Sequence, residues 1–205
     1  VTNGELDLTK PTFSNFPIDQ TVNCNYNYTP LSQFGTPVVS DDCSSATLTV
    51  DSIFQLNSCS TGKIYRVFTA TDLSGNTSQA TQTITLNYVP IFNQNNISFP
   101  PNYTVFNCID SIKLRPDSLP APYNKPTIIA AACSNVFYSY VDLKIGNYPA
   151  CYKILRKWTV MDMCQSMASG NPLDGLYSNE QIIVVMDTVR PVLTCPSNIT
   201  VNTAT

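Results

Sequence analysis

Apolar and polar residues alternate along Ile64-Tyr-Arg-Val-Phe-Thr-Ala-Thr-Asp72, and the alternation returns along Ile154-Leu-Arg-Lys-Trp-Thr-Val-Met-Asp162. Ile64, Arg66, Phe68 and Ala70 share one face, matched by Ile154, Arg156, Trp158 and Val160, while Thr69 and Thr159 fall on the other. A period of two marks a half-buried strand. Each strand runs into a polar break, Asp72-Leu-Ser-Gly-Asn76 or Asp162-Met-Cys-Gln165, and then into a second strand, Gln79 to Leu86 or Glu180 to Met186. The pair reads as the closing hairpin of a β-module, present in two copies.

The rest of the chain keeps that register. Asp7-Leu-Thr-Lys-Pro11 and Asp187-Thr-Val-Arg-Pro191 punctuate it alike, and proline at a module start suits the first residue of an edge strand. Cys43 and Cys133 lie 90 residues apart, as do Phe68 and Trp158, so length differences are confined to the first third and the last loop of each copy. We expect four segments: 1–10, the tail of a preceding module; 11–88, module 1; 89–188, module 2; and 189–205, the start of a third. Gln165 to Ser178, with Gly170-Asn-Pro and Asp174-Gly, is a long last loop that module 1 lacks. No helical periodicity of useful length is present. Six to eight short strands per module, bounded by Pro, Gly, Asn and Asp, predict an all-β fold of tandem immunoglobulin-like β-sandwich modules in a linear array.

Composition narrows the function classes. Of 205 residues only 12% are charged, and the 11 Lys and Arg are scattered, so no phosphate-neutralising patch for nucleic acid is visible. Eight cysteines with no C-x-x-C pair and no histidine argue for disulfides in an oxidising compartment rather than a zinc site. Hydrophobic content of 43% argues for a chain folded throughout. No apolar run of eighteen residues predicts a membrane span, so direct membrane insertion is not expected and any export or anchoring signal would lie elsewhere.

The order Pro-x-apolar, Phe/Cys-Pro, Thr-Val, Asp-Asp-Cys, Cys, Arg-x-Phe/Trp-Thr-Ala/Val-x-Asp, Gln-x-Ile and Asp-x-x-Arg-Pro resembles HYR-type immunoglobulin-like repeats. Similar tandem modules build giant surface adhesins of Bacteroidota, including the SprB-like filaments of gliding bacteria. The resemblance implies a secreted cell-surface protein whose partners are neighbouring modules of the same chain and glycans or proteins of a cell surface or substratum. In that family Gly-Asn often follows the central strand, and a cysteine often sits between Asp and Gly. Module 1 keeps Gly75-Asn76 but has Ser74, whereas module 2 keeps Cys164 and loses Gly-Asn.

Equivalent positions and similar loop lengths predict the disulfides Cys43–Cys59 and Cys133–Cys151, leaving Cys108 to bond Cys164. Cys24 is then expected as a free thiol or a small buried hydrophobe, and Cys195 to need a partner in the third module. Arg66 and Arg156 share a face with core aromatics, which requires a paired or snorkelling guanidinium; an anion-binding site is the functional alternative. Phe68 in the place of Trp158 makes core packing the better reading of the tryptophan than a sugar-stacking platform. Tyr26 with Tyr28, and Tyr138 with Tyr140, are expected to pair on strand faces.

No histidine is available as a base, and the adjacent carboxylates of Asp41 and Asp42 would point apart on a strand, so no catalysis is expected. No cofactor is expected either. The one metal candidate is calcium on Asp41, Asp42, Asp72 and backbone oxygens, set against a plain Asx-turn at Asp72. Four Asp-Ser/Thr-aliphatic triplets resemble the O-glycosylation signal of Bacteroidota and place sugars on Ser52, Ser111, Ser118 and Thr188. The sequons at Asn27, Asn76, Asn96, Asn102 and Asn198 matter only in a eukaryotic source. Three functions fit: a structural or adhesive segment of a long surface filament, a carbohydrate-binding accessory unit of a secreted hydrolase, and a subunit of a laterally packed extracellular fibre or sheath.

Overall fold

The computed structural model describes residues 7–106, 108–146, 151–198 and 201. Residues 1–6 of the expected tail, and 199–200 and 202–205 of the expected third module, lie outside the described residues. The first copy carries β1 (Thr12–Ser14), β2 (Gln20–Asn23), β3 (Val38–Ser40), β4 (Thr47–Leu56), β5 (Gly62–Thr71) and β6 (Thr77–Asn87). The second carries β7 (Ile97–Ser98), β8 (Tyr103–Val105), β9 (Thr127–Ile128), β10 (Val136–Ile145), β11 (Tyr152–Asp162), α1 (Met163–Ser169) and β12 (Leu176–Val185). The fold is all-β, of immunoglobulin-like sandwich type.

Both copies build the same sheets. Four strands run in the order β2-β6-β5-β4 and, in the second copy, β8-β12-β11-β10; β1 pairs with β3 and β7 with β9. The opening strand lies parallel to the last one, Val22 opposite Leu86 and Val105 opposite Val185. The alternation of β5 becomes alternation of burial: Ile64, Arg66, Phe68 and Ala70 point inward, and in β11 so do Ile154, Arg156, Trp158 and Val160.

By its contacts the chain divides differently from its repeat. One compact unit holds the described residues up to Ser98 with Thr127–Ser139 and Thr159–Ser178; the other holds Phe99–Pro126, Tyr140–Trp158 and the described residues from Asn179 on. In the first, Ile64, Ile84 and Leu86 form a core covered by Val22, Tyr28, Leu31, Phe34 and Leu56. Phe16 stands edge-on to Phe68 at 5.5 Å, bringing the β1 segment onto the sheet. In the second, Leu114, Leu119, Tyr152, Ile154, Ile183 and Val185 form the core. Each fully buried aliphatic side chain there contributes about 1.5–3 kcal/mol.

Gly62 closes the β4–β5 hairpin at φ +139, where an added Cβ would fall 2.1 Å from the Gln55 carbonyl oxygen, so only glycine fits. Two expectations need correction. Tyr26 and Tyr28 are not on a strand: β2 ends at Asn23 and Tyr26 turns away to donate its hydroxyl to Gln33 Oε1 at 2.9 Å. The long last loop of the second copy opens as a helix, α1, capped by Asp162 at its start and ended by Gly170 in the left-handed region. Seven residues are too few to show a helical period.

Candidate functional site

The cysteines form the most specific chemistry of the chain. β2 runs directly into Cys24, whose N–H donates to the Asn87 carbonyl at 2.8 Å and whose sulfur is bonded to Cys133. Cys59 sits in the β4–β5 turn, where Asn57 Oδ1 accepts from the N–H groups of Cys59 and Thr61 at 2.9 and 3.1 Å. It is bonded to Cys164 in the first turn of α1. Cα–Cα separations of 5.8 and 5.6 Å suit both bridges. Both lie within the first compact unit, and each joins a residue of the first repeat copy to one of the second.

This pairing replaces the expected one. Cys59, Cys133 and Cys164 are bonded, but not to Cys43, Cys151 or Cys108, and Cys24 is not free. Cys43, Cys108, Cys151 and Cys195 are thiols. Strand length is the reason. Cys43 and Cys59 flank the ten residues of β4, and Cys133 and Cys151 the ten of β10, so each expected pair sits at opposite ends of a strand. A strand that long spans about 33 Å, far beyond the roughly 7 Å of Cα separation a disulfide bridges. Cys108 follows β8 at the end of the sheet where β11 begins, whereas Cys164 follows the end of β11.

Cys164 arrives with a docked helix. Cys164, Met167 and Ala168 of α1 line one cavity of about 390 Å3 with Cys59, Gly62, Lys63 and Thr85 to Tyr88. Asp162, fully buried, anchors the helix: its Oδ1 accepts from the N–H groups of Cys164 and Asn135 at 3.1 and 2.9 Å. Gly175, at φ +79, accepts at its carbonyl oxygen from the Asp162 N–H at 2.9 Å, and a Cβ there would meet the Asp162 carbonyl oxygen at 2.5 Å. Burial, helped by Asp162 and Tyr177, pushes the Tyr88 phenol up to about 12. Phe92 is held edge-on to Tyr177 at 5.8 Å, and its carbonyl accepts from the Gln165 amide.

The two arginines are structural hubs. Arg156 is fully buried; its Nε and Nη2 grip Asp142 bidentately at 2.7 and 2.8 Å, and Nη2 also donates to the Leu114 carbonyl at 2.9 Å. Its guanidinium lies 4.9 Å from the Tyr140 ring and 5.7 Å from that of Trp158, whose Nε1 donates to Gln181 Oε1 at 3.0 Å. Trp158, with no exposure, offers no platform for a sugar. Arg66 pairs with no acid among the described residues: Nη1 donates to Gln82 Oε1 at 2.7 Å and the Gly35 carbonyl at 2.8 Å, beside the Phe68 ring. Burial lowers its pKa. Gln82 and Gln181 occupy matching places in the two copies, an inward polar position that the alternation alone did not single out.

The acidic candidates are split. Carboxylate oxygens of Asp7, Asp41 and Asp72 gather within 4.8 Å of one another, while Asp42 groups with Asp7 and Cys43 instead. The oxygens already serve turns. Asp41 Oδ2 accepts from the N–H groups of Cys43 and Ser44 at 3.1 and 3.0 Å, and Asp72 accepts from the Asn76 N–H and side-chain amide, both at 2.8 Å. An oxygen-rich set of this kind suits a hard cation such as calcium, which would have to share those acceptors. Beside Asp42, the Cys43 thiol is pushed up. Burial raises the Asp72 pKa, but donation from Asn76, with Ser74 and Gly75, outweighs it and holds the carboxyl below its ordinary value.

A depressed carboxyl contributes stability above its unfolded pKa and loses it as pH falls through the folded one. Denaturant midpoints taken from about pH 5 down to about pH 3 should therefore fall. In Asn76→Ala, which brings the folded carboxyl back toward its unfolded value, the fall should be smaller; an unchanged profile would refute the assignment to Asp72.

The hydroxyls expected to carry sugars lie at the surface. Ser52 is exposed on β4, Ser118 and Thr188 are exposed, and Ser111 is half-buried. Two are engaged: Ser111 Oγ pairs with Asp110 Oδ1 at 3.3 Å, and Thr188 Oγ1 donates to the Phe106 carbonyl at 2.8 Å.

No protein-family model matches the chain, and no curated protein matches it. Among solved structures it is similar to human mucin-like protocadherin EC1-2 at 9% identity, over 87% of this chain and 98% of that one, with a TM-score of 0.32. It is similar to human CDH23 EC21-23 at 15% identity, over 85% and 63% of the two chains, with a TM-score of 0.28. PcdhgB3 EC1-4 follows at 12% identity, 86% and 50% coverage and a TM-score of 0.26. These likenesses are loose, and the architecture stands on the chain's own strand order.

Proposed function

We propose that the chain is a structural or adhesive repeat segment of a long extracellular surface protein, in which immunoglobulin-like modules stand in a row as spacers and perform no catalysis. One observation supports this most. The same four-stranded sheet is built twice, and both disulfides join one repeat copy to the other. Disulfides persist in oxidising surroundings, in keeping with a place outside the cell or on its surface. The affinity to HYR-type Bacteroidota adhesins, and sugars on Ser52, Ser111, Ser118 and Thr188, belong to this same reading. Intact-mass measurement on native protein tests the sugars, and an unmodified mass removes them.

The experiment on function is a glycan array probed with the isolated chain. The spacer reading expects no specific glycan; selective, saturable binding would favour a carbohydrate-binding accessory module. Lateral packing is the second reading, favoured by the edge strands. On β4, Val50, Ile53 and Phe54 are exposed, and on β10, Phe137, Val141 and Leu143 are. Exposed apolar edges invite pairing with other chains. Concentration-dependent light scattering would support that reading, and a concentration-independent monomer would exclude it.

A further inference from the structure

The groove that receives α1 at the end of the first copy's sheet has a counterpart in the second copy. Tyr152 and Lys153 open β11 where Gly62 and Lys63 open β5, and Val184 to Asp187 close β12 where Thr85 to Tyr88 close β6. These residues, with Ile145, Gly146 and Cys151, line a cavity of about 790 Å3. It lies wholly within the second compact unit. In the first copy the equivalent wall is covered by Cys164, Met167 and Ala168.

The thiols match the grooves. Cys108 follows β8 as Cys24 follows β2, and Cys151 precedes β11 as Cys59 precedes β5. Cys24 and Cys59 are both bonded to cysteines of the next copy, while Cys108 and Cys151 are free. Beyond them, Val192 and Leu193 follow Pro191 as Ile91 and Phe92 follow Pro90, yet Phe92 is 2% exposed and Leu193 92%. Phe92 is covered by α1 and β12 residues of its own copy, Gln165 and Tyr177. At the other end Cys43, the counterpart of Cys133, is likewise free, and Ser74 stands in the place of Cys164.

We propose that the groove around Cys151 docks the short helix of a third repeat copy, which opens at Pro191, and that Cys108 and Cys151 form disulfides with that copy's counterparts of Cys133 and Cys164. The second copy is then stapled to the third as the first is to the second. At each staple two thiols lose two protons and two electrons and form one S–S bond. The acceptor is a donor disulfide of a protein thiol oxidase, which thiol–disulfide exchange leaves as a dithiol. Burial first, then Asp187 and Cys151, raises the Cys108 thiol pKa, which keeps its thiolate fraction low until a partner is in place.

The inference rests on the tandem-spacer reading but fails separately from it. The native-length polypeptide is trapped with an alkylating reagent, digested without reduction and mapped by mass spectrometry. Cys108 and Cys151 are expected unalkylated, each joined to a peptide beyond residue 205. Cys151→Ser in the same polypeptide should raise the free-thiol titre by one, from the abandoned partner. A Cys108–Cys151 bond, or alkylation of either thiol while a third copy is present, overturns the staple and leaves the spacer reading standing. If no further copy follows, both fail.

Discussion

Asp142→Ala is expected to destabilise the unit that contains it by about 3–5 kcal/mol, because it leaves the fully buried Arg156 guanidinium without its anion. The Leu114 carbonyl and the faces of Tyr140 and Trp158 remain, and none neutralises the charge. The reciprocal change should cost less. Asp142 is 31% exposed, so its carboxylate can be hydrated once the arginine is gone. Arg156→Met keeps much of the side-chain volume and should cost about 1–2 kcal/mol, chiefly from the orphaned Leu114 carbonyl. Urea denaturation midpoints of the two variants decide it. Equal losses, or a larger loss for Arg156→Met, would show that the ion pair does not govern this part of the core.

The second large effect is expected from the sulfur bridges. Cys24–Cys133 and Cys59–Cys164 close loops with sequence separations of 109 and 105, and a loop of that size corresponds to about 4–5 kcal/mol of lost unfolded-chain freedom. Replacing Cys59 and Cys164 together by serine should lower stability by nearly that amount. Cys43→Ser, at an exposed thiol, should stay within about 0.5 kcal/mol. The loops interleave, so with one bond in place the other closes a shorter path, and removing both should cost more than twice what removing one from the fully bridged chain costs. A Cys43→Ser effect as large as that of the double replacement would show that the thiol, not the bridges, matters.

Much of the sheet architecture was legible in the sequence, because strand faces are written with a period of two. Ile64, Phe68, Ile154 and Trp158 declare the inward face of β5 and β11, and the arginines between them inherit their burial from that register. The disulfide partners were not legible in this way, because equivalent positions in two copies need not be close in space. Ten strand residues between Cys43 and Cys59 already exclude their pairing, and that signal was present in the run from Thr47 to Leu56. The helix was not legible: seven residues carry no period, and its placement depends on Asp162 capping and on the bond to Cys59. Asp7 was missed as a neighbour of Asp41 and Asp72 because it precedes them by more than thirty residues, and only folding brings them together.

The bridge between Cys24 and Cys133 also sets how far the chain can be drawn out under tension. Pulled from its two ends, the oxidised polypeptide transmits force through the sulfur bond, and the intervening residues are a slack loop that never comes taut. A separation of 109 residues, at about 3.3–3.6 Å each when straightened, withholds roughly 350–390 Å of contour length. Oxidation thus makes the segment short and inextensible where reduction would make it a long, yielding tether, so the redox state of the surroundings sets the compliance of anything hung on its end.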